Sequence, residues 1–432
     1  MARRRRICFI LGTRPEVIKC WPVIRALEAM DGFHVTTILT GQHADMAEQA
    51  ARLFGLCVDA DLKLMTPGQS LEGLTAALCQ TLARPIRDAA PDIVVVQGDT
   101  TTAFVAALTA FYAGIPVAHI EAGLRSGDVR HPFPEEMNRR LISGLARLHF
   151  APTQTARQAL LNEGVPPEWI HLTGNSGIDA LRLMSAQLDG ADCGESTCGQ
   201  TSHLAAAVGR RTSAGHLQAG SAEKARGAAR AELRAALARD DRRTIAVTIH
   251  RRENRAFMSG IAGAIRTILT THEDVQVVFP VHPGPAVRDA FLPVLRECPR
   301  CHLIEPLDYA DFVRLLKHCC FVLTDSGGIQ EEAPYLGKPV LVARRTTERP
   351  EAVEAGVARI IGERPETIVR EAGRLLTEPD AYRAMARRMS PYGDGHAAER
   401  IAQSLLEFPL GASATSPAAD HTLQPEPLPC AC

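Results

Sequence analysis

The 432-residue chain has no surplus of either charge: 48 Lys and Arg face 49 Asp and Glu, a formal net charge of −1. A nucleic-acid partner or an acidic membrane surface calls for a basic excess, so neither is expected. The chain also lacks an apolar run that reads as a membrane span. Residues 103–120 come nearest, but Gly114, Pro116 and His119 interrupt them, and a helix followed by a buried strand accounts for them. At the amino terminus Arg3 to Arg6 precede Ile7 to Leu11 in the order of a signal peptide. That apolar part stops at Gly12 after a handful of residues, short of the roughly 7–15 of an h-region. A first strand and a cytoplasmic location follow. No Gly-x-Gly-x-x-Gly fingerprint ends that strand, so NAD is not expected, and no other cofactor is implied.

Cysteine is not scarce, at twelve residues, but its scatter through a long chain does not read as a disulfide framework. Cys8, Cys20, Cys57 and Cys79 read as reduced core thiols. Cys298-Pro299-Arg300-Cys301-His302 has the spacing of a c-type haem attachment, which needs export and a haem pocket. A second CxxC or paired histidines would be needed for a zinc site and neither is present, although His318-Cys319-Cys320 lies downstream. His119-Ile120-Glu121 with that CxxC faintly echoes a zinc deaminase, but the proline before the first cysteine is missing. No metal is expected.

Length and a 46% hydrophobic content suffice for two or more domains. β-rich runs alternate with amphipathic helical stretches almost from end to end. Strands are expected at 7–11, 34–39, 93–97, 117–120 and 149–151, and again at 244–250, 275–280, 302–304, 321–323 and 340–342. The fold class is therefore α/β, two doubly wound Rossmann-like domains with the active site in the cleft between them. The amino-terminal domain is expected over 1–172 and the second over 173–390. A helix at about 395–408 is expected to pack back on the first, 186–230 to form a flexible insertion, and 411–432 a disordered tail.

The run Thr324-Asp325-Ser326-Gly327-Gly328-Ile329-Gln330-Glu331-Glu332 follows apolar Phe321-Val322-Leu323 and reads as strand, glycine turn and helix start. Unpaired N–H groups and the positive end of a helix dipole converge there, which suits a phosphate. Glu332, one turn on, is placed to accept hydrogen bonds from ribose hydroxyls. A plain Asp/Ser cap would explain the turn alone. Similar polar clusters follow other strands: Gly12-Thr13-Arg14-Pro15-Glu16, Gly98-Asp99-Thr100-Thr101-Thr102, His119-Ile120-Glu121-Ala122-Gly123 and His250-Arg251-Arg252-Glu253-Asn254. Another, Pro132-Phe133-Pro134-Glu135-Glu136-Met137-Asn138-Arg139, starts a helix.

With TGNSGIDAL at 173–181, DSGGIQEEAPYLGKPVL at 325–341, TTERPEA at 346–352 and PYGDG at 391–395, these words make the chain resemble the non-hydrolysing UDP-N-acetylglucosamine 2-epimerases. The resemblance spans residues 7 to 407 except the insertion. It implies the GT-B arrangement, a homodimer, and interconversion of UDP-N-acetylglucosamine and UDP-N-acetylmannosamine through 2-acetamidoglucal, feeding a surface or extracellular polysaccharide. It further implies Asp99, Glu121, Glu135 and His250 as catalytic residues, with His250 assisting departure of the diphosphate. Arg14, Lys19, Arg139 and Arg349 then match substrate or diphosphate contacts, Ser326, Gly327 and Gly328 hold the diphosphate, Glu332 the ribose, and Phe312 stands near the uracil. Mutual repulsion in a buried carboxylate cluster is expected to keep one member protonated. The chain departs from the family pattern at Ile249, Leu307 and Arg345. Asp45 and Gly68 replace residues that, around Gln42 and His43, bind an activating substrate in some relatives. A UDP-sugar glycosyltransferase, a hydrolysing epimerase and a non-catalytic nucleotide-sugar sensor are the competing readings.

Overall fold

The computed structural model describes residues 3–41, 44–66, 68–194, 219–238 and 241–410. Two all-parallel sheets organise the chain. The first contains β1 (Arg5–Leu11), β2 (Phe33–Leu39), β3 (Ala60–Asp61), β4 (Ile93–Gln97), β5 (Val117–Ile120), β6 (Leu148–Ala151) and β7 (Ile170–Leu172) in the order 3-2-1-4-5-6-7. The second contains β8 (Arg243–Thr248), β9 (Val275–Pro280), β10 (Cys301–Ile304), β11 (Phe321–Thr324), β12 (Val340–Val342) and β13 (Ala358–Ile360) in the order 10-9-8-11-12-13. The two orders have the same form. In each, the winding reverses beside the first strand, between β1 and β4 and between β8 and β11, and ligands of open α/β sheets bind at such switch points.

Helices cover both faces of each sheet, so central strands such as β1 and β4 carry near-continuous buried apolar runs rather than an alternating pattern. Ile7 to Leu11 are fully buried: Ile7, Phe9 and Leu11 join one core cluster while Cys8 and Ile10 join the cluster on the opposite face. The helix Ala397–Glu407 places Ala398, Ile401, Ala402 and Leu405, spaced by three and four, against the face of Ile7 and Phe9. Between the sheets, Ile18 and Trp21 meet Leu181, Met184, Tyr309 and Val313 in a small apolar seam.

All ten strands read from the sequence are present, with ends shifted by a residue or two. Three more were not foreseen. β3, β7 and β13 are two or three residues long and lie at sheet edges or the outermost positions, where little apolar pattern is needed. Two of the four supposed core thiols are misplaced: Cys8 and Cys20 are buried, but Cys57 and Cys79 are exposed. Cys79 sits one residue off the buried stripe Leu74, Leu78, Leu82 and Ile86 of its helix. Helices Ser176–Gly194 and Ala219–Leu237 enter the expected 186–230 insertion from both sides. Residues 195–218 between them, the 411–432 tail, and Gln42 and His43 lie outside the described residues. Among the described residues no helix is long and apolar enough to cross a membrane, and no group of three or more His, Cys, Asp or Glu is placed to hold a metal ion.

Candidate active site

Both switch points carry the polar clusters at their carboxyl ends. After β1, Gly12 is required by space, because a Cβ there would meet Thr102 Oγ1 at 2.4 Å. Glu16 closes the turn as a capping box, accepting from the amides of Gly12 (2.9 Å) and Thr13 (2.5 Å). Its other oxygen accepts from Thr100 Oγ1 at 2.7 Å, which ties the β1 turn to the β4 turn. Burial pushes the Glu16 pKa up to about 7 against these hydrogen bonds. Arg14, at the head of the same helix, crosses to the other sheet and donates to the Leu307 carbonyl at 2.8 Å.

After β4, Gly98 has φ +71° and delivers Asp99 to an ion pair with Arg139. Arg139 is held from behind by fully buried Glu136 at 3.2 Å, and Asn138 Nδ2 donates to the Asp99 carbonyl at 2.9 Å. After β5, Glu121 adopts φ +66°, a region that non-glycine residues rarely occupy and that is retained mostly at functional sites. Its carboxylate pairs with Lys19, accepts from Asn175 Nδ2 at 3.0 Å and lies 3.7 Å from Arg349. Burial opposes its ionisation, but Lys19 and Arg349 outweigh burial and hold its pKa below the usual carboxylate range. Glu135 opens the helix Glu135–Leu145, and its Oε2 is buried with no hydrogen-bond partner.

The second sheet meets this set through Arg349 and Glu331. The Arg349 guanidinium contacts Glu331 and Glu348, each at 2.7 Å, as well as Glu121. Glu331 also accepts from Asn175 Nδ2 at 2.9 Å and lies 3.4 Å from Lys19 Nζ. Three buried carboxylates and two buried cations from both sheets thus form one network. Glu348 is held well below the usual range, burial being outweighed by Arg349, Arg344 and Arg251. The glycine turn lies against it: a Cβ on Gly327 would meet Arg349 Nη1 at 2.6 Å, while Gly328 faces open space. Ser326 does not cap the helix Gly327–Tyr335, so its hydroxyl is not committed to that helix.

A model of the UDP-N-acetylglucosamine 2-epimerase family matches residues 25–406. The chain is 42% identical over 409 residues to a probable UDP-N-acetylglucosamine 2-epimerase of Ralstonia nicotianae, covering 94% of this chain and 99% of that one. It is 42% identical over 408 residues to the UDP-N-acetylglucosamine 2-epimerase of Escherichia coli K12, covering 93% and 98%. The chain belongs to the UDP-N-acetylglucosamine 2-epimerase family. Its structure resembles that of the Neisseria meningitidis UDP-GlcNAc 2-epimerase bound to UDP-GlcNAc, with a TM-score of 0.81 at 38% identity over 93% of this chain and all of that one. The kitacinnamycin glycotransferase shares the fold alone, at 14% identity and a TM-score of 0.54.

Of the residues singled out by the family resemblance, Lys19, Glu121 and Arg349 touch directly, and Asp99 pairs with Arg139. Glu332 is buried beside Tyr309, whose hydroxyl donates to it at 3.3 Å, and burial pushes its pKa up to about 7. Phe312 is buried in the second sheet's core with Leu307 and Ile329. Asp99 and Glu121 each face a cation, while burial raises the pKa of Glu16 and Glu332 to about 7 and that of Asp179 to about 6. Sequence reasoning missed Asn175, Glu331, Glu348, Glu136 and Asp325. The one available signal was the doubled acids Glu135-Glu136 and Glu331-Glu332: neighbours on a helix point about 100° apart, so one can serve a ligand while the other anchors an arginine.

His119 is structural. Its Nε2 lies 2.7 Å from the Gly98 carbonyl, supporting the turn that carries Asp99, and burial lowers its pKa to about 4. Burial likewise brings His149 to about 3. A histidine with a depressed pKa supports the fold fully above its unfolded value near 6.5. That support is lost as the pH falls, because only the unfolded chain takes up the proton. His119 alone is worth about 3 kcal/mol in this sense. His119→Gln, which can still donate to Gly98, is expected to show a shallower loss of melting temperature between pH 6.5 and 4 than the parent. Parallel curves in calorimetry would refute this.

Proposed function

We propose that the protein inverts C2 of UDP-N-acetylglucosamine to give UDP-N-acetylmannosamine, reversibly and without hydrolysis. The observation that carries this reading is that Glu121, at a strand end of one sheet, is joined through Lys19 and Arg349 to Glu331 in the helix that follows the phosphate-type turn of the other, while Asp99 and Glu135 stand at a further strand end and a helix start of the first domain. A transferase or a sensor needs the turn but not the carboxylates.

C2 is not adjacent to a carbonyl, so simple deprotonation is unfavourable. In the proposed route the C1–O bond to the diphosphate breaks and UDP leaves as the anion while a carboxylate takes the C2 proton, leaving 2-acetamidoglucal. A proton is then delivered to the other face of C2 and the UDP oxygen returns to C1. The Ser326 hydroxyl and the amides of Gly327 and Gly328 together with His250 stabilise the leaving diphosphate, and Arg14, Lys19, Arg139 and Arg349 contact the substrate or its diphosphate. A charge-assisted hydrogen bond is worth about 1.5–3 kcal/mol, against about 0.3–1 for a helix terminus, so the cations contribute at least as much as the glycine turn. Asp99, Glu121 and Glu135 supply acid/base and cation-stabilising groups. Glu332 takes the ribose, and Phe312 the neighbourhood of the uracil.

The reading extends to a cytoplasmic enzyme that supplies a surface or extracellular polysaccharide, with the domains divided as the sequence suggests. It also includes a homodimer. Phe111, Tyr112, Met137 and Leu141 are exposed large apolar residues on the adjacent helices Thr101–Tyr112 and Glu135–Leu145, a surface that a second copy would cover.

Incubation with UDP-N-acetylglucosamine in heavy water, without added NAD or metal, tests the reaction by NMR. UDP-N-acetylmannosamine carrying deuterium at C2 is the expected product. Free N-acetylmannosamine with UDP would instead establish hydrolysis, and UDP binding without any change in the sugar would defeat the epimerase reading.

A further inference from the structure

Asp325 opens the turn assigned to the diphosphate, yet it does not serve that turn. Among the described residues, every hydrogen bond its carboxylate accepts comes from the 250–254 loop after β8. The His250 amide reaches both oxygens, at 3.1 and 3.0 Å, the Arg251 amide one at 2.8 Å, and Asn254 Nδ2 one at 2.9 Å. The carboxylate is fully buried, and His250 Nδ1 stands 3.5 Å from Oδ1, an ion-pair separation. The pairing of β8 with β11 in register, Thr248 opposite Thr324, puts the two strand ends side by side, and their hydroxyls meet at 2.6 Å. A buried carboxylate next to a seat for an anion is unfavourable unless a cation lies between them. His250, at ion-pair separation from Asp325, is placed to supply one.

We propose that Asp325 is a positioning residue for His250: it pins the 250–254 loop and holds the Nδ1–H of the imidazole, so that a protonated Nε2 is presented to the departing diphosphate. This rests on the functional reading above. The charged and titratable groups that face His250 are Asp325, Arg251 and His282, whose ring stacks on it with centroids 5.7 Å apart. Burial lowers the His250 pKa and Arg251 adds to that, while Asp325 opposes both. Without Asp325 the ring would lose the carboxylate beside its Nδ1, and nothing among these groups would oppose the lowering of its pKa.

The test combines histidine-selective 15N NMR with calorimetric titration of UDP into the wild type, Asp325→Asn, His250→Gln and the double variant. His250→Gln assigns the His250 signal by its loss. Wild-type His250 should carry a proton on Nδ1 at every pH at which the fold persists. In Asp325→Asn the midpoint of its titration should move to lower pH, and UDP affinity near pH 7 should fall about 10-fold. The nucleotide's own ionisation is common to all four proteins. In the His250→Gln background the same change should cost less than about twofold, because Asp325 acts through the imidazole. An unmoved midpoint, or an equal loss in both backgrounds, would overturn the proposal in favour of a purely structural staple. Should Asp325→Asn fail to fold, the wild-type spectrum alone decides: an unprotonated Nδ1 on His250 overturns it. Absence of UDP binding by the wild type would defeat the functional reading and the presentation to diphosphate together. Normal UDP binding with an unmoved midpoint would remove only the role of Asp325.

Discussion

Glu135→Gln is expected to lower kcat by about 10²–10⁴-fold while leaving UDP affinity within about threefold and the melting temperature nearly unchanged. The size follows from the loss of proton transfer, since an amide of the same shape can neither take nor return a proton at C2. The selectivity follows from the structure. Asp99 and Glu121 are each bound to a cation, but Glu135 Oε2 is buried without a partner, so no ion pair breaks when its charge is removed. Glu121→Gln should lose activity too, with added instability from Lys19 and Arg349. Turnover by NMR, UDP titration and scanning calorimetry on the same preparations separate the two cases. More than a tenth of wild-type kcat in Glu135→Gln would remove this residue from the proposed chemistry.

Arg349→Met should be the most damaging single change to the fold. The guanidinium is almost fully buried and serves Glu121, Glu331 and Glu348 together. Methionine fills much of the volume but leaves three buried carboxylates short of a cation, and breaking a buried pair from one side costs about 3–5 kcal/mol. For a domain of this size the melting temperature should fall by roughly 6–20 °C. The pH dependence has a definite sign. Glu348 is depressed below its ordinary pKa in the parent, so its stabilising contribution is present above about pH 4.5 and is lost as the pH falls through the folded value. The deficit of Arg349→Met should therefore be at its full size from pH 7 down to about 4.5 and shrink as the pH is lowered further. A deficit that grew on acidification would refute the electrostatic account.

Much of this arrangement was legible in the residues. Strands buried on both faces need near-continuous apolar runs, and such runs as Ile93-Val94-Val95-Val96 and Val277-Val278-Phe279 marked the strands with little error. The polar words that follow them could be placed because parallel sheets put ligands at their carboxyl ends. Edge strands of two or three residues leave no such mark. The anchoring acids were hidden for a different reason. Glu331 and Glu348 look like ordinary helix and loop carboxylates until the two sheets are brought together. Lys19 stands 312 residues from Glu331 and only the tertiary fold joins them, while Glu348 pairs with its own sequence neighbour Arg349 inside the buried network. Asp325 was read as a cap in the plain account of the glycine turn. Its true partners lie in the 250–254 loop, across a strand pairing that sequence spacing does not reveal.

The helix Ala397–Glu407 has a consequence for the order in which the chain can mature. It closes the core behind β1, and Arg5 donates to the Leu405 carbonyl at 3.0 Å across 400 residues of sequence. At about 5–20 residues per second, ribosomal synthesis takes roughly 20–80 s to separate these two partners. During that interval the amino-terminal half is outside the exit tunnel with one apolar flank uncovered. It must wait, shielded by chaperones or by loose contacts of its own, while the carboxyl-terminal half is still being made.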